Sequence, residues 1–260
     1  MMTFQRELDV ARDLAWRAGQ QSLNYMRQGV TAEDKSDDSP VTIADREAEK
    51  LFVAGLSAAF PHDGLLGEEG ASREAASGRR WIIDPVDGTR DFVRKNRLWA
   101  NLIALEVDGV VEIGVATFPA LEEVYWGVRG LGAWRCQGAR TEQLHHSNIT
   151  DIRKSVLCAN RMQDGLIVPY SKVLLDFMSQ FWSVRSLGGA MDAMFVCSGS
   201  AEIWLEPTCK PWDLAVLQVI AHGAGCRFFD YNGKDHIYGD NAVICVPALE
   251  DEVKKLLGIG

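Results

Sequence analysis

Phe4, Leu8, Ala11, Leu14, Ala15, Ala18 and Met26 recur mostly at steps of three and four, and Gly29 follows, so the pattern predicts one amphipathic helix over residues 3–28. A polar stretch from Thr31 to Pro40 breaks the period. Thr42 and Asp45 then form a capping-box-like start for a second helix, which runs through Ala48, Leu51, Phe52 and Leu56 and stops before Pro61. Trp81-Ile82-Ile83 is a short apolar run bounded by Asp84-Pro85 and reads as a buried strand opening into a loop over 84–89. Between Leu98 and Phe118 two apolar runs flank Asp108-Gly109, a hairpin signal, and a third antiparallel strand is expected over 124–128. Beyond Thr150 the texture changes. Strands at 156–158, 201–205, 226–229 and 242–245 alternate with helices at 170–181, 189–197, 212–222 and from about 248, as α/β units do. The chain therefore reads as an α/β (α+β) protein. An antiparallel-rich part, 1–148, packs with an alternating part, 149–260, across a soft boundary at 145–152.

Length and composition narrow this further. At roughly 150 residues per domain, 260 residues leave room for one large or two interleaved domains. Apolar residues at 47% and charged residues at 24% exclude disordered and fibrous classes. Lys and Arg number 27 against 36 Asp and Glu, a formal charge of −9, which argues for a small-molecule partner and against a nucleic acid gripped by its phosphates. The cysteines at 136, 158, 197, 209, 226 and 245 show no CxxC spacing and read as reduced core thiols of a cytoplasmic protein. The longest apolar stretch, near Leu51 to Phe60, is far short of the ~18 residues of a membrane span, and the first residues carry no apolar signal segment.

Candidate chemistry lies in acids placed where elements begin or end: Asp45, Glu68 in Gly67-Glu68-Glu69-Gly70, Asp84 with Asp87, and Asp213 after Trp212. Taken singly, each is an ordinary helix-start or turn residue. The segment 84–89 is different. Two carboxylates three apart flank a stiff proline, and Gly88-Thr89 follows at an expected helix start. Mg²⁺ takes hard oxygen ligands, and a helix start offers free N–H groups to a phosphate. Without the metal, a phosphate dianion about 4 Å from one carboxylate would cost on the order of 8 kcal/mol at an effective dielectric near 20. Cation and phosphate thus imply each other.

These residues resemble those of the inositol monophosphatase superfamily of Mg²⁺-dependent phosphatases. The resemblance runs through Lys35, Ser39-Pro40-Val41-Thr42-Ile43-Ala44-Asp45, Gly67-Glu68-Glu69, Trp81 to Thr89 with Phe92, Trp212-Asp213-Leu214-Ala215 and Gly223-Ala224-Gly225, in the family's order. It implies a layered αβαβα sandwich with the site between its two parts, and two to three Mg²⁺ ions. Glu68, Asp84 and the Val86 carbonyl would hold one ion, and Asp84, Asp87 and Asp213 a second. A third, weaker ion would sit near Glu68. Gly88 and Thr89 would offer N–H groups to the phosphate, while Thr89, Asp45 and Glu68 would orient the attacking water. The implied protein is a homodimer acting on a small phosphate ester.

The sequence departs from the family where Arg90-Asp91 precedes Phe92 and where Ala221-His222 precedes Gly223; neither change removes a ligand. Stretches 98–105, 118–121 and 210–213 resemble the histidinol-phosphatase branch, which puts L-histidinol phosphate ahead of inositol 1-phosphate, and both ahead of a nucleotide 3′-phosphate or a sugar bisphosphate. Glu206 alone is a strand-end acid. By resemblance, and with Asp87, Gly88, Thr89 and Asp213, it would contact substrate, holding the part that is not phosphate. The rival of another class is a non-catalytic family member that binds protein partners. Arg90, Arg94, Lys95 and Arg97 are either a solvated face or a positive rim that steers anions, and His145-His146 reads as a solvated loop.

Overall fold

Helix α1 (Gln5–Gln28) buries Leu8, Ala11, Leu14, Ala15 and Ala18 along one stripe, and Gly29 ends it at φ 85°. Helix α2 (Ile43–Ala59) starts on a complete capping box, with Thr42 accepting from the helix and Asp45 accepting from the Thr42 N–H. The computed structural model describes residues 4–35, 40–75, 77–162 and 170–259. Thr3 of the expected first helix and Ser39 of the family motif lie outside the described residues.

Helices α1 and α2 form the first layer. They cover one face of an eight-stranded sheet whose core strands are β5 (Arg79–Asp87), β6 (Ala100–Val107), β7 (Val110–Phe118) and β8 (Glu123–Val128). Strands β9 (Gly132–Gln137) and β10 (Arg140–Gln143) extend one edge, and β3 (Gly64–Gly67) and β4 (Ser72–Arg73) extend the other. All neighbours pair antiparallel except β3 with β5, which run parallel. Because helices cover both faces, β6 reads as a nearly unbroken apolar run. A short ribbon of β1 (Glu33–Asp34) and β2 (Pro40–Val41) links the first two helices.

The other face of this sheet carries α5 (Gly189–Cys197) and α6 (Pro211–Gly223). A Cβ at Gly114 or Gly127 would lie 2.8–2.9 Å from Val216, Val219 or Ile220, so these two glycines let the α6 backbone settle directly on β7 and β8. Beyond α5 and α6 lies the second sheet, with β11 (Val156–Ala159), β12 (Ser183–Arg185), β13 (Ile203–Glu206), β14 (Arg227–Phe229) and β15 (Ala242–Cys245) in the order β12-β11-β13-β15-β14. Its far face is covered by α7 (Glu250–Leu257) and by the short α4 (Leu174–Met178). The layers are αβαβα, as the family resemblance implies.

Two expectations need correction. The helix expected over 170–181 shrinks to α4, because the Trp182 N–H must reach the Ser155 carbonyl at 3.1 Å to begin the β12–β11 pairing, which forces the chain to turn after Met178. The segment 84–87, expected as loop, remains paired to β6 through a bulge. Asp84 opposes Leu102 and Asp87 opposes Ala100, so three steps on β5 face two on β6. Pro85 has no N–H to give the ladder, which suits it to a bulge.

Candidate active site

The bulge decides where the acids point. In a regular strand, residues three apart face opposite sides of the sheet. With one residue inserted, Asp84 and Asp87 share a face, the one shared by Leu102 and Ala100 that looks toward α6. Asn101 donates from Nδ2 to the Pro85 carbonyl and pins the bulge from the partner strand. The Asp84 Oδ1 accepts the Val86 N–H at 3.0 Å and tightens it from within.

Helix α6 brings the third acid. Asp213 lies in its first turn, with Oδ2 accepting the Lys210 N–H at 2.6 Å. Carboxylate oxygens of Asp84, Asp87 and Asp213 lie within 4.8 Å of one another. Asp87 also accepts the Ala190 N–H at 2.9 Å, so the start of α5 closes the cluster on another side. Glu68 stands just past β3, whose Gly67 pairs with Ile83, and its N–H donates to the Ile83 carbonyl at 3.3 Å. Glu68 and Asp84 each follow the last paired residues of the parallel strands, Gly67 and Ile83, so the two acids start side by side. The Glu68 side chain is tied to Lys35, whose Nζ lies 2.9 Å from Glu68 and 2.5 Å from Glu69.

Packing these acids together is electrostatically costly. Burial, then Glu68, Asp87 and Asp213, hold the Asp84 carboxyl well above the usual carboxylate range. Burial, with Glu68 and Asp91, pushes Asp87 up to about 6. Burial, with Asp87 and Glu68, pushes Asp213 up to about 7. Among the described residues, no Lys, Arg or His forms an ion pair with any of the three. Hard oxygens converging on one point, at elevated energy and without a protein counter-ion, fit a hard divalent cation.

Beside the cluster lies a dyad suited to proton movement. The Thr89 Oγ1 is 3.1 Å from both Asp45 Oδ1 and the Val86 carbonyl, and its hydrogen can satisfy one of these acceptors at a time. Asp45 Oδ2 accepts from the Thr42 N–H at 2.8 Å and the Thr42 Oγ1 at 2.6 Å, which fixes the carboxylate. Burial raises the Asp45 pKa while the Thr42 and Thr89 bonds lower it, and the balance is upward, which favours a base. Gly88, at φ 84°, occupies the left-handed conformation that starts α3 (Thr89–Val93) and aims Thr89 back at Asp45.

Glu206 ends β13, nearly fully buried, and burial pushes its carboxyl up to about 8, with Asp213 adding to the rise. Asp84, Asp87 and Asp213 are therefore brought together, Glu68 borders them in a pair with Lys35, Asp45 and Thr89 form a separate dyad, and Glu206 stands where it feels the charge of Asp213. Sequence reasoning missed the structural parts of Asn101 and Ala190. Asn101 carries a usable signal, a single amide in the otherwise apolar run Ala100–Leu105, whereas the Ala190 N–H carries none.

The sandwich and its buried acidic cluster place the chain among phosphoric monoester hydrolases. The chain belongs to the inositol monophosphatase family, whose profile matches residues 5–257. It is similar to the histidinol-phosphatase of Chlorobaculum parvum, with 38% identity over 92% of this chain and 91% of that one. It is also similar to the histidinol-phosphatase of Mycobacterium tuberculosis, with 35% identity over 98% of both chains. Among solved structures, the Thermotoga maritima IMPase superposes with a TM-score of 0.88 at 26% identity, over 98% of this chain and 97% of that one.

Proposed function

We propose that the protein hydrolyses L-histidinol phosphate to L-histidinol and inorganic phosphate in an Mg²⁺-dependent reaction. The observation that carries this reading is the buried Glu206, whose Oε1 has no partner and which lies close enough to Asp213 of the acidic cluster to feel its charge. A buried carboxylate there suits an ester that bears an ammonium. The two histidinol-phosphatases similar over nearly the whole chain support the same substrate.

In this reading Glu68, Asp84, Asp87, Asp213 and the Val86 carbonyl would hold two to three Mg²⁺ ions, which when bound offset the phosphate charge and acidify water. The N–H groups of Gly88 and Thr89 bind phosphate oxygens. Thr89 accepts a hydrogen bond from the attacking water while its own hydroxyl donates to Asp45; as the water gives its proton to Thr89, Thr89 passes its own to Asp45, which Thr42 anchors. The water oxygen forms the new bond to phosphorus, the bond from phosphorus to the alkoxyl oxygen breaks, that oxygen takes a proton from solvent water and leaves as the alcohol, and Asp45 returns its proton to solvent. Ala190 and Lys210 keep Asp87 and Asp213 aimed by donating backbone hydrogen bonds to them.

The proposal keeps the parts 1–148 and 149–260 as one working unit, supported by the layer of α5 and α6 that packs against both sheets. It also keeps the homodimer that the resemblance implies and the cytoplasmic location expected from the cysteine pattern. None of the described helices is long and apolar enough to cross a membrane, and the cysteines are free thiols. Inositol 1-phosphate is the second reading, favoured by the match to the Thermotoga maritima IMPase.

Steady-state phosphate release from a panel of monoesters tests the substrate. kcat/KM for L-histidinol phosphate is expected to exceed that for inositol 1-phosphate by at least about tenfold, since a charge-assisted bond is roughly twice as strong as a neutral one. Equal or better turnover of inositol 1-phosphate would transfer the assignment to the second reading.

A further inference from the structure

At the carboxyl ends of β11 and β13 two polar side chains stand side by side. The Asn160 N–H donates to the Leu205 carbonyl at 3.0 Å, which extends the parallel pairing by one step and places Asn160 beside Glu206. Both are more than nine-tenths buried, Asn160 at 5% and Glu206 at 7% exposure. The Asn160 Nδ2 donates to Glu206 Oε2 at 3.0 Å. That bond uses one of the amide's two hydrogens; the Thr208 N–H also favours the ionised Glu206, but neither Asn160 Oδ1 nor Glu206 Oε1 has a hydrogen-bond partner of good geometry. Buried acceptors are nearly always paired, so two orphans on adjoining side chains call for a ligand. The nearby hydroxyls of Tyr170 and Tyr231 are bonded to each other at 2.7 Å.

The chemistry of the missing group follows from the inventory. In the ionised form that an adjoining cation favours over the neutral acid, Glu206 Oε1 is an acceptor, as is Asn160 Oδ1, and Asn160 spends a hydrogen on holding that carboxylate still. A ligand hydroxyl has one hydrogen and can satisfy one of them. A primary ammonium has three and carries the charge that complements Glu206. The other charges that reach Glu206 come from Asp213, which opposes its ionisation, and Arg161, which favours it.

We infer that Asn160 is a specificity-determining residue: together with Glu206 it forms a two-acceptor cradle in which Asn160 Oδ1 and Glu206 Oε1 receive two hydrogens of a substrate's primary ammonium. The inference rests on the proposed phosphomonoesterase reading and deepens it, because the fixed pair, and not the carboxylate alone, sets the preference for an amine over its desamino counterpart. Glu206 supplies charge that any neighbouring cation would feel. Asn160 supplies a second acceptor at fixed geometry, which a cation of different hydrogen-bonding shape would fail to satisfy.

The test measures kcat and KM with Mg²⁺ for two matched pairs: L-histidinol phosphate against its desamino analogue, and 2-aminoethyl phosphate against ethyl phosphate. The wild type is compared with Asn160→Leu, which removes both polar atoms at similar volume, and with Asn160→Gln, which keeps both the amide donor and the amide oxygen. Asn160→Leu is expected to lower the amine-to-desamino ratio of kcat/KM about tenfold, through KM, while Asn160→Gln keeps a ratio well above that of Asn160→Leu. A ratio unmoved by Asn160→Leu overturns the inference and leaves the substrate assignment standing. So does an equal loss on both members of a pair, the mark of a merely structural residue, or an Asn160→Gln enzyme whose ratio falls as far as that of Asn160→Leu. If L-histidinol phosphate is not hydrolysed but 2-aminoethyl phosphate still outperforms ethyl phosphate in an Asn160-dependent way, the histidinol reading falls and the ammonium cradle is upheld. No amine preference in the wild type on either pair overturns both.

Discussion

Asp84→Asn is expected to lower kcat by about three orders of magnitude and, in the same protein, to raise the melting temperature of the metal-free form. The first effect follows from removing a charge shared by the proposed cation sites, where several kcal/mol of transition-state stabilisation are at stake. The second follows from the repulsion that the cluster carries when no cation is present. Asp84 is held well above the usual carboxylate range by burial and by Glu68, Asp87 and Asp213, while Asp87 is pushed to about 6 and Asp213 to about 7. An acid whose pKa is raised on folding lends stability below its unfolded value and loses it as pH rises through the folded value. Metal-free wild type should therefore weaken progressively from about pH 4 to beyond pH 7. Asp84→Asn should flatten that decline, and a divalent cation should do the same for wild type. Thermal scans in chelator at pH 5 and pH 8, together with kcat at saturating Mg²⁺, check both halves. A variant that is less stable than wild type at pH 8, or turns over normally, would contradict the account.

Thr89→Ala is the second large effect. Its hydroxyl is 3.1 Å from Asp45, and that carboxylate is fixed by two bonds from Thr42, so losing the hydroxyl would cut the proposed proton path without touching the acidic cluster. The expected outcome is a fall in kcat of about 10²–10³ with KM changed by less than about twofold, the pattern of an interaction made in the transition state. Thr89→Ser, which retains the hydroxyl, should recover most of the rate. A Thr89→Ala enzyme with normal kcat and raised KM would show instead that the hydroxyl serves binding.

Much of the fold was legible in the chain because local signals and tertiary structure agree. The period of α1, the capping box at Thr42 and Asp45, the hairpin at Asp108-Gly109 and the alternation after Thr150 each arise from short-range chemistry that the packed protein keeps. The edge strands were not legible. Arg140–Gln143 is mostly exposed and carries no apolar alternation, and Ser183–Arg185 becomes a strand only because Val156–Cys158 is there to pair with it. The same division holds at the site. The acids could be picked out by type and spacing, but the feature that turns Asp84 and Asp87 to one face is a register shift against Leu102 and Ala100, a long-range property of two strands. Pro85 alone hinted at it. The contact between Asn160 and Glu206 joins residues 46 positions apart and depends on β11 and β13 lying in parallel, which no local window contains.

The central claim is that the converging carboxylates serve a divalent cation in phosphate-ester hydrolysis, and phosphate release from L-histidinol phosphate with and without chelator tests it most directly. The account predicts turnover with Mg²⁺, its loss in excess EDTA and its recovery when Mg²⁺ is restored. Turnover that persists unchanged in EDTA, or no phosphate release from any monoester of the panel with Mg²⁺ present, would contradict it, and the latter result would favour a family member that works by binding protein partners.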